Sequence, residues 1–430
     1  MQRMLNIIYN CCYSFFMRIS AMSLYPQLLN VNKNLLKEVI VLLVEMPRTA
    51  ERIGALTIYD TQKVLKLESS RNFKDTPLIK SIPYDVFEEY YHKFAVIVPI
   101  KNESLKLFEG VLSAIPQDVT VIVVSNSYTN GFDRYRMERD ILKSIHKFSQ
   151  QPMMIIHQKD PGLVEALRTV RYEYILEGDT VRSGKGEGMI IGILMTKALG
   201  LDYLGFVDSD NYIPSAVNEY IKDYIAGFYM SDSPYTMVRL LWKYKPKIVE
   251  SSLYFRRWGR VSVITNRYMN LLVGRITGFE TDVIKTGNAG EHAMTTKLAE
   301  IMAFASGFAI EPYELVYLFE EFGKFMEETK FKEAVREGIK IYQIETLNPH
   351  LHEEKGRAHI IEMIAASLGS IYHSRVADQE LRVRIVGELD DFGLKQEPPK
   401  PRIIPPIVGV DANRFFDVLQ SSAQTLEILE

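Results

Sequence analysis

Residues 203–212 read YLGFVDSDNY, and this stretch decides the fold. The apolar run at 203–207 has strand length and stops abruptly at Asp208-Ser209-Asp210. Three similar runs precede it: FAVIVP at 94–99, VTVIVV at 119–124 and MMIIH at 153–157. Helical segments separate them, which is the spacing of an alternating, mainly parallel α/β sheet. Each run ends in a polar cluster: Lys101-Asn102-Glu103, Ser125-Asn126-Ser127, Gln158-Lys159-Asp160 and Asp208-Ser209-Asp210. Open parallel sheets bind ligands outside the carboxyl ends of their strands, so four polar ends predict one shared site.

Working outward, residues 187–199 are strongly apolar and read as a buried crossover helix, with Gly184-Lys185-Gly186 at its start. That loop is neither a Walker loop, which needs Ser or Thr after Gly-Lys, nor a dinucleotide fingerprint. It does place Lys185 and Arg182 at a helix N-terminus, a position suited to an anion. Helical residues continue to about Met230, a strand follows near 235–240, and 242–260 is aromatic and basic. Residues 311–389 read as helical with a break at Asn348-Pro349, and five prolines in 397–406 predict an extended strap. The expected organisation is an extension at 1–45, poorly ordered or from an upstream start codon, a catalytic domain at 46–310, and a helical C-terminal region at 311–430 that completes the site.

Composition narrows the function. Among 430 residues, 51 basic and 54 acidic side chains leave a net charge of −3, so no basic surface for nucleic acid is expected. The two cysteines, Cys11 and Cys12, exclude a disulfide framework and a thiol nucleophile in the folded body. The apolar run at 4–16 is too short for a bilayer, which needs ~20 residues, and a cytoplasmic protein is expected.

Asp208 and Asp210, two carboxylates at a strand-end turn, suit a hard divalent cation that also holds substrate phosphates. Residues 286–292, TGNAGEH, read as a small-residue turn opening a helix, with amides free for an anion. The segment 348–353, NPHLHE, brings His350, His352 and a carboxylate together, and bottom-up is as compatible with capping as with metal ligation.

Together PIKNE (99–103), VVSNS (123–127), HQKDPGL (157–163), RSGKGEGM (182–189), FVDSDNYIP (206–214), TGNAGEHAM (286–294) and ETLNPHLHEEKG (345–356) closely resemble the mannosyl-3-phosphoglycerate synthases. The resemblance covers about 46–430. It implies a GT-A-type glycosyltransferase that moves mannose from GDP-mannose to 3-phosphoglycerate with retention, toward the compatible solute mannosylglycerate. It implies a divalent metal, Mg²⁺ first, with Mn²⁺ or Co²⁺ as alternatives. Position by position it puts Pro99, Lys101, Asn102, Glu103, Ser125 and Gln158 around the guanosine, and Lys185 near the ribose and pyrophosphate. Asp208 and Asp210 fall at the metal, joined by His350 or His352. Arg239, Gly287 and Asn288 are the candidates for the phosphoglycerate end. Residues 1–45 have no counterpart in the family pattern, and Ser209 stands where the family has Ala.

The alternatives are a glucosyl-3-phosphoglycerate synthase, a sugar-1-phosphate nucleotidyltransferase, a phosphatase using Asp208 and Asp210, and a noncatalytic sugar-nucleotide module. Lys101-Asn102-Glu103 replaces the Gly-rich loop usual in nucleotidyltransferases, and Tyr212 replaces the Thr or Val usual in phosphatases. The assembly is left open between monomer and homodimer.

Overall fold

The structure, a computed structural model, describes residues 40–69, 76, 78–249, 252–256, 260–352 and 356–430; Cys11, Cys12 and the run at 4–16 lie outside them. The α/β class expected from the sequence is observed. Met153–His157, Thr120–Ser125, Phe94–Ile100 and Tyr203–Phe206 lie side by side in that order, all parallel. Their register is shared: Phe206 pairs with Ile97, Ile97 with Ile122, and Ile122 with Met154. The four polar strand ends therefore emerge at one edge of the sheet.

Beyond Tyr203–Phe206 the order continues through His292–Thr295, which is antiparallel to both its neighbours, and Thr236–Trp242. Ile339–Thr346 then pairs in parallel with Thr236–Trp242. One margin is formed by Gln62–Ser69, Ile40–Glu45 and Ile79–Pro83, the other by Glu427–Leu429 antiparallel to Met153–His157.

Both faces of the sheet are buried, which is why the central strands are apolar throughout. Phe94, Val96, Val98 and Ile100 pack with Tyr220, Ile221 and Tyr224 of the helix Pro214–Met230. Ala95 and Ile97 point the other way, toward Ile190, Ile193 and Leu194 of the helix Lys185–Ala198. That helix lies so close to the sheet that a Cβ at position 192 would sit 2.5 Å from Ile97 Cγ2, so only Gly192 permits the approach. The closeness fixes Lys185, at the helix start, relative to the strand ends.

Three expectations are corrected. Residues 339–346 form a strand within the region read as helical; the apolar residues of IKIYQIET alternate only weakly, Ile341 and Tyr342 being adjacent, and helical periodicity on either side masked them. Residues 286–292 do not open a helix: the chain enters the strand His292–Thr295, and the helix Thr296–Ile301 follows, capped by Thr295. Ile40–Glu45 is not part of a loose extension, since it pairs with two strands and fully buries Leu42 and Val44. The proline strap is extended as expected, with Ile403–Ile404 bridging to Phe304–Ala305. No described helix is long and apolar enough to cross a membrane.

Candidate active site

At the carboxyl end of Tyr203–Phe206, the Asp208 carboxylate meets Lys185 Nζ at 2.7 Å. The same ammonium reaches Glu311 Oε1 at 2.8 Å. Burial disfavours its charge, but Asp208 and Glu311 outweigh that cost and hold the Lys185 pKa well above the usual lysine range. The Gly290 backbone comes so near that a Cβ there would lie 3.0 Å from Asp208 Oδ2 and 3.5 Å from Lys185 Nζ. Asp210 and Asn211 are buried beside them.

Glu291, next in sequence, has a fully buried carboxylate whose two oxygens accept no hydrogen bond among the described residues. Burial, then the Asp208 charge, push its pKa far above the carboxylate range, against the pull of Lys185 and Lys245. His350 Nδ1 stands 3.8 Å from Glu291 Oε1. That nitrogen also faces Tyr220 Oη at 3.2 Å and Asn211 Nδ2 at 3.5 Å. The ring stacks on Trp242 with centroids 4.2 Å apart, and burial, then Lys245, keep its pKa well below the usual histidine value. His352 lies beside it, ring centroids 5.1 Å apart. Glu219 anchors this loop by accepting from the amides of Leu347 and Asn348 and from Asn348 Nδ2. Glu353 lies outside the described residues.

A divalent cation fits these residues. Asp208 and Asp210 offer hard oxygen donors, and the orphaned Glu291 carboxylate marks a polar space without internal partners. Among the described residues no three His, Cys, Asp or Glu side chains converge as a complete ligand set, so further ligands would come from substrate or solvent.

The other strand ends build a polar pocket. Asn102 adopts φ 64°, a left-handed conformation that asparagine tolerates, and donates its amide to Ser127 Oγ at 2.8 Å. Its Oδ1 accepts from the Tyr128 amide at 2.9 Å. Ser125 and Ser127 both donate to the buried Glu138 carboxylate at 2.6 Å, whose pKa burial raises. Gln158 Nε2 donates to the carbonyls of Arg182 at 2.6 Å and Gly184 at 3.1 Å, tying this pocket to the Lys185 loop. Pro99 is the penultimate residue of its strand, Lys101 is exposed, and Glu103 Oε2 accepts from the Lys101 amide. These residues and Lys185, Asp208 and Asp210 thus share one sheet edge.

Arg239 departs from the expectation of an acceptor ligand. Its side chain is fully buried, pairs with Glu314 Oε2 at 2.7 Å, and donates to the carbonyls of Thr286 and Glu311, each at 3.0 Å. Every guanidinium nitrogen has a protein acceptor, so it supports the loop from beneath. His292 completes the support, with Nε2 3.0 Å from Glu314 Oε1 and Nδ1 3.0 Å from the Ala289 carbonyl. The expected free amide at Gly287 is also committed, donating to Asn266 Oδ1 at 2.7 Å. Asn288 Oδ1 accepts from Ser367 Oγ at 3.0 Å, and Asn288 lines a small cleft with Trp242, Lys245, Asn266, Lys285 and Thr286.

Sequence reading missed Glu291, Lys245 and the Arg239–Glu314–His292 support. A signal for the support existed: a lone Arg inside the strand TMVRLLW needs a buried partner, and Glu311 and Glu314 are the acids of the apolar helix Ile310–Leu318. Glu291 had none, because the charged residue of a glycine turn ordinarily faces water.

Residues 46–419 match the family model of mannosyl-3-phosphoglycerate synthase. The mannosyl-3-phosphoglycerate synthase of Pyrococcus furiosus is 51% identical over 389 residues, spanning 90% of this chain and 99% of that protein. That of Aeropyrum pernix is 39% identical over 376 residues, spanning 87% and 96%. A solved structure of glucosyl-3-phosphoglycerate synthase from Mycobacterium tuberculosis with phosphoglyceric acid is 17% identical, covers 68% of this chain and 85% of that one, and has a TM-score of 0.45. Another, with Mn²⁺, UDP-glucose and phosphoglyceric acid, is 18% identical, covers 65% and 80%, and has a TM-score of 0.42. On the match to its family model and these two curated relatives, the chain belongs to the mannosyl-3-phosphoglycerate synthase family.

Proposed function

We propose that this member of the family transfers mannose from GDP-mannose to 3-phosphoglycerate with retention of anomeric configuration, on a GT-A-type scaffold in the cytoplasm. The observation that carries this reading is the Lys185–Asp208 pair at the strand-end edge, beside the polar pocket of Asn102, Ser125 and Gln158. Pro99, Lys101, Asn102, Glu103, Ser125 and Gln158 surround the guanosine. Lys185 meets the diphosphate, and its raised pKa keeps it charged throughout the neutral range, so it offsets the negative charge that grows on departing GDP.

Asp208 and Asp210 would hold the divalent cation, Mg²⁺ first, with His350 or His352 beside them. When bound, the cation supplies electrostatic stabilisation of the diphosphate leaving group. His350 Nδ1 already faces Tyr220 and Asn211, which leaves Nε2 as the nitrogen for a metal. The acceptor occupies the cleft of Trp242, Lys245 and Asn288, with Lys245 rather than Arg239 opposite its negative charge.

The test is incubation of the protein with labelled GDP-mannose and a panel of phosphorylated acceptors, with GDP-glucose and UDP-glucose in parallel. Label passing from GDP-mannose to 3-phosphoglycerate, with an α-linked product by NMR, supports the reading. Preferential use of either glucose donor makes the protein a glucosyltransferase instead.

A further inference from the structure

The segment that follows the helix Ala412–Ser422 folds back onto the side of the site formed by Ser125 and Gln158, and the function proposed above gives it no role. Its strand Glu427–Leu429 pairs with Met153–His157, and Lys143 meets Glu427 at 2.9 Å. Covering a sheet margin needs no more than this. The residues just before the strand are held more closely. Asp160, buried behind the Gln158 turn, accepts through Oδ2 from the amides of Gln424 at 2.9 Å and Thr425 at 2.6 Å, and from the Thr425 hydroxyl. Its Oδ1 caps the helix Pro161–Thr169 by accepting from the Gly162 amide at 2.7 Å.

From Thr425 the hydrogen bonds lead into the pocket. Its Oγ accepts from the His157 amide at 3.1 Å, and its carbonyl accepts from the Tyr135 hydroxyl. His157 Nδ1 accepts from the Lys159 amide at 3.1 Å, which puts the ring proton on Nε2, and Nε2 donates to the Ser127 carbonyl at 2.8 Å. Ser127 Oγ in turn accepts from the Asn102 amide, and the Gln158 amide donates to the Ser125 carbonyl at 2.6 Å. The Thr425 hydroxyl thus uses both of its capacities, donating to Asp160 and accepting from His157, at the head of a chain that ends on Asn102.

Building on the mannosyl-transfer reading, we propose that Thr425 and Asp160 are positioning residues of the nucleotide pocket, with residues 424–429 acting as the clasp that sets it. Neither side chain touches the nucleotide. Each acts through His157 and the Gln158 turn, holding Ser125, Asn102 and Gln158 where the guanosine meets them. Without the clasp, Met153–His157 is a margin strand held from one side, and its carboxyl end is free to shift.

The test uses full-length protein carrying Thr425→Val, which keeps shape and strand pairing but leaves the His157 amide without its acceptor, and Thr425→Ser, which keeps the hydroxyl. The Kd for GDP, titrated calorimetrically with Mg²⁺, should rise about tenfold in Thr425→Val and stay within about twofold of wild type in Thr425→Ser. At saturating GDP-mannose, kcat and the KM for 3-phosphoglycerate should stay within about threefold in both. A folded Thr425→Val with wild-type affinity for GDP, or one that loses kcat and acceptor affinity equally, would reduce the segment to a cover for the sheet margin and overturn the proposal. If Thr425→Val does not fold, hydrogen exchange of the wild type decides. Because coupling is reciprocal, GDP with Mg²⁺ should slow exchange at the Thr425 and His157 amides at least about threefold, and unchanged exchange overturns the proposal. A wild type that binds UDP in place of GDP refutes the mannosyl reading separately, and the same comparisons made with UDP then test the clasp.

Discussion

Arg239 and Glu314 face each other at 2.7 Å with neither side chain exposed to solvent. His292 takes the second Glu314 oxygen, and Arg239 holds the carbonyls of Thr286 and Glu311. One buried acid thus fastens the 286–292 loop to the helix whose Glu311 contacts Lys185. Removing the guanidinium leaves Glu314 buried without its ion partner, which typically costs about 3–5 kcal/mol. Arg239→Ala should therefore lower unfolding free energy by that amount in chemical denaturation, with activity lost as the loop loosens. Normal stability with a selective rise in KM for 3-phosphoglycerate would return Arg239 to the acceptor.

Asp208→Ala and Asp210→Ala should each reduce transfer by well over tenfold, a loss above ~1.4 kcal/mol of transition-state stabilisation. Glu311 still pairs with Lys185 when Asp208 is gone, so the fold should persist with at most a modest fall in melting temperature. Chelation should silence the wild type in the same way, and added Mg²⁺ or Mn²⁺ should restore it. A variant with more than about a tenth of normal activity at saturating metal refutes the assignment.

The central sheet was legible because FAVIVP, VTVIVV and YLGFV are continuous apolar runs, buried on both faces, each ending in polar residues. Periodicity fails where context decides. IKIYQIET alternates only weakly, and Gln343 and Thr346, polar by type, are buried in the strand. At the site, sequence could place polar residues at strand ends but could not separate side chains facing ligand from those facing protein. Arg239 and Lys245 show the difference: both are cations near the loop, but only Lys245 lines the cleft. That distinction depends on Glu314, 75 residues away in sequence.

The N-terminal boundary yields a paired test. Deletion of residues 1–45 removes the strand Ile40–Glu45, with Leu42 and Val44 fully buried between Gln62–Ser69 and Ile79–Pro83. Each such side chain is worth about 1.5–3 kcal/mol of burial. A chain starting at residue 46 should melt well below one starting at residue 40 when both are measured by calorimetry. Equal melting temperatures would show this strand to be dispensable.

Lys245 sets the expected pH response of acceptor binding. Burial pushes its pKa from 10.5 down to about 8, against the attraction of Glu291 and Asp208, and its Nζ stands 4.0 Å above the Trp242 ring at the cleft. Below about pH 8 the group is an ammonium that can meet an anionic acceptor; above that it is neutral. KM for 3-phosphoglycerate should therefore be flat below pH 8 and rise above it by up to about tenfold per unit, with KM for GDP-mannose changing little. Stability should respond in the opposite direction: between about 8 and 10.5 the unfolded chain holds more proton on Lys245 than the folded one, so this residue's cost to folding is relieved as pH rises. A guanidinium stays charged across the range, so Lys245→Arg should abolish the alkaline rise in KM. If the variant keeps the wild-type pH profile, the anion is held by another cation and Lys245 has no direct role in acceptor affinity.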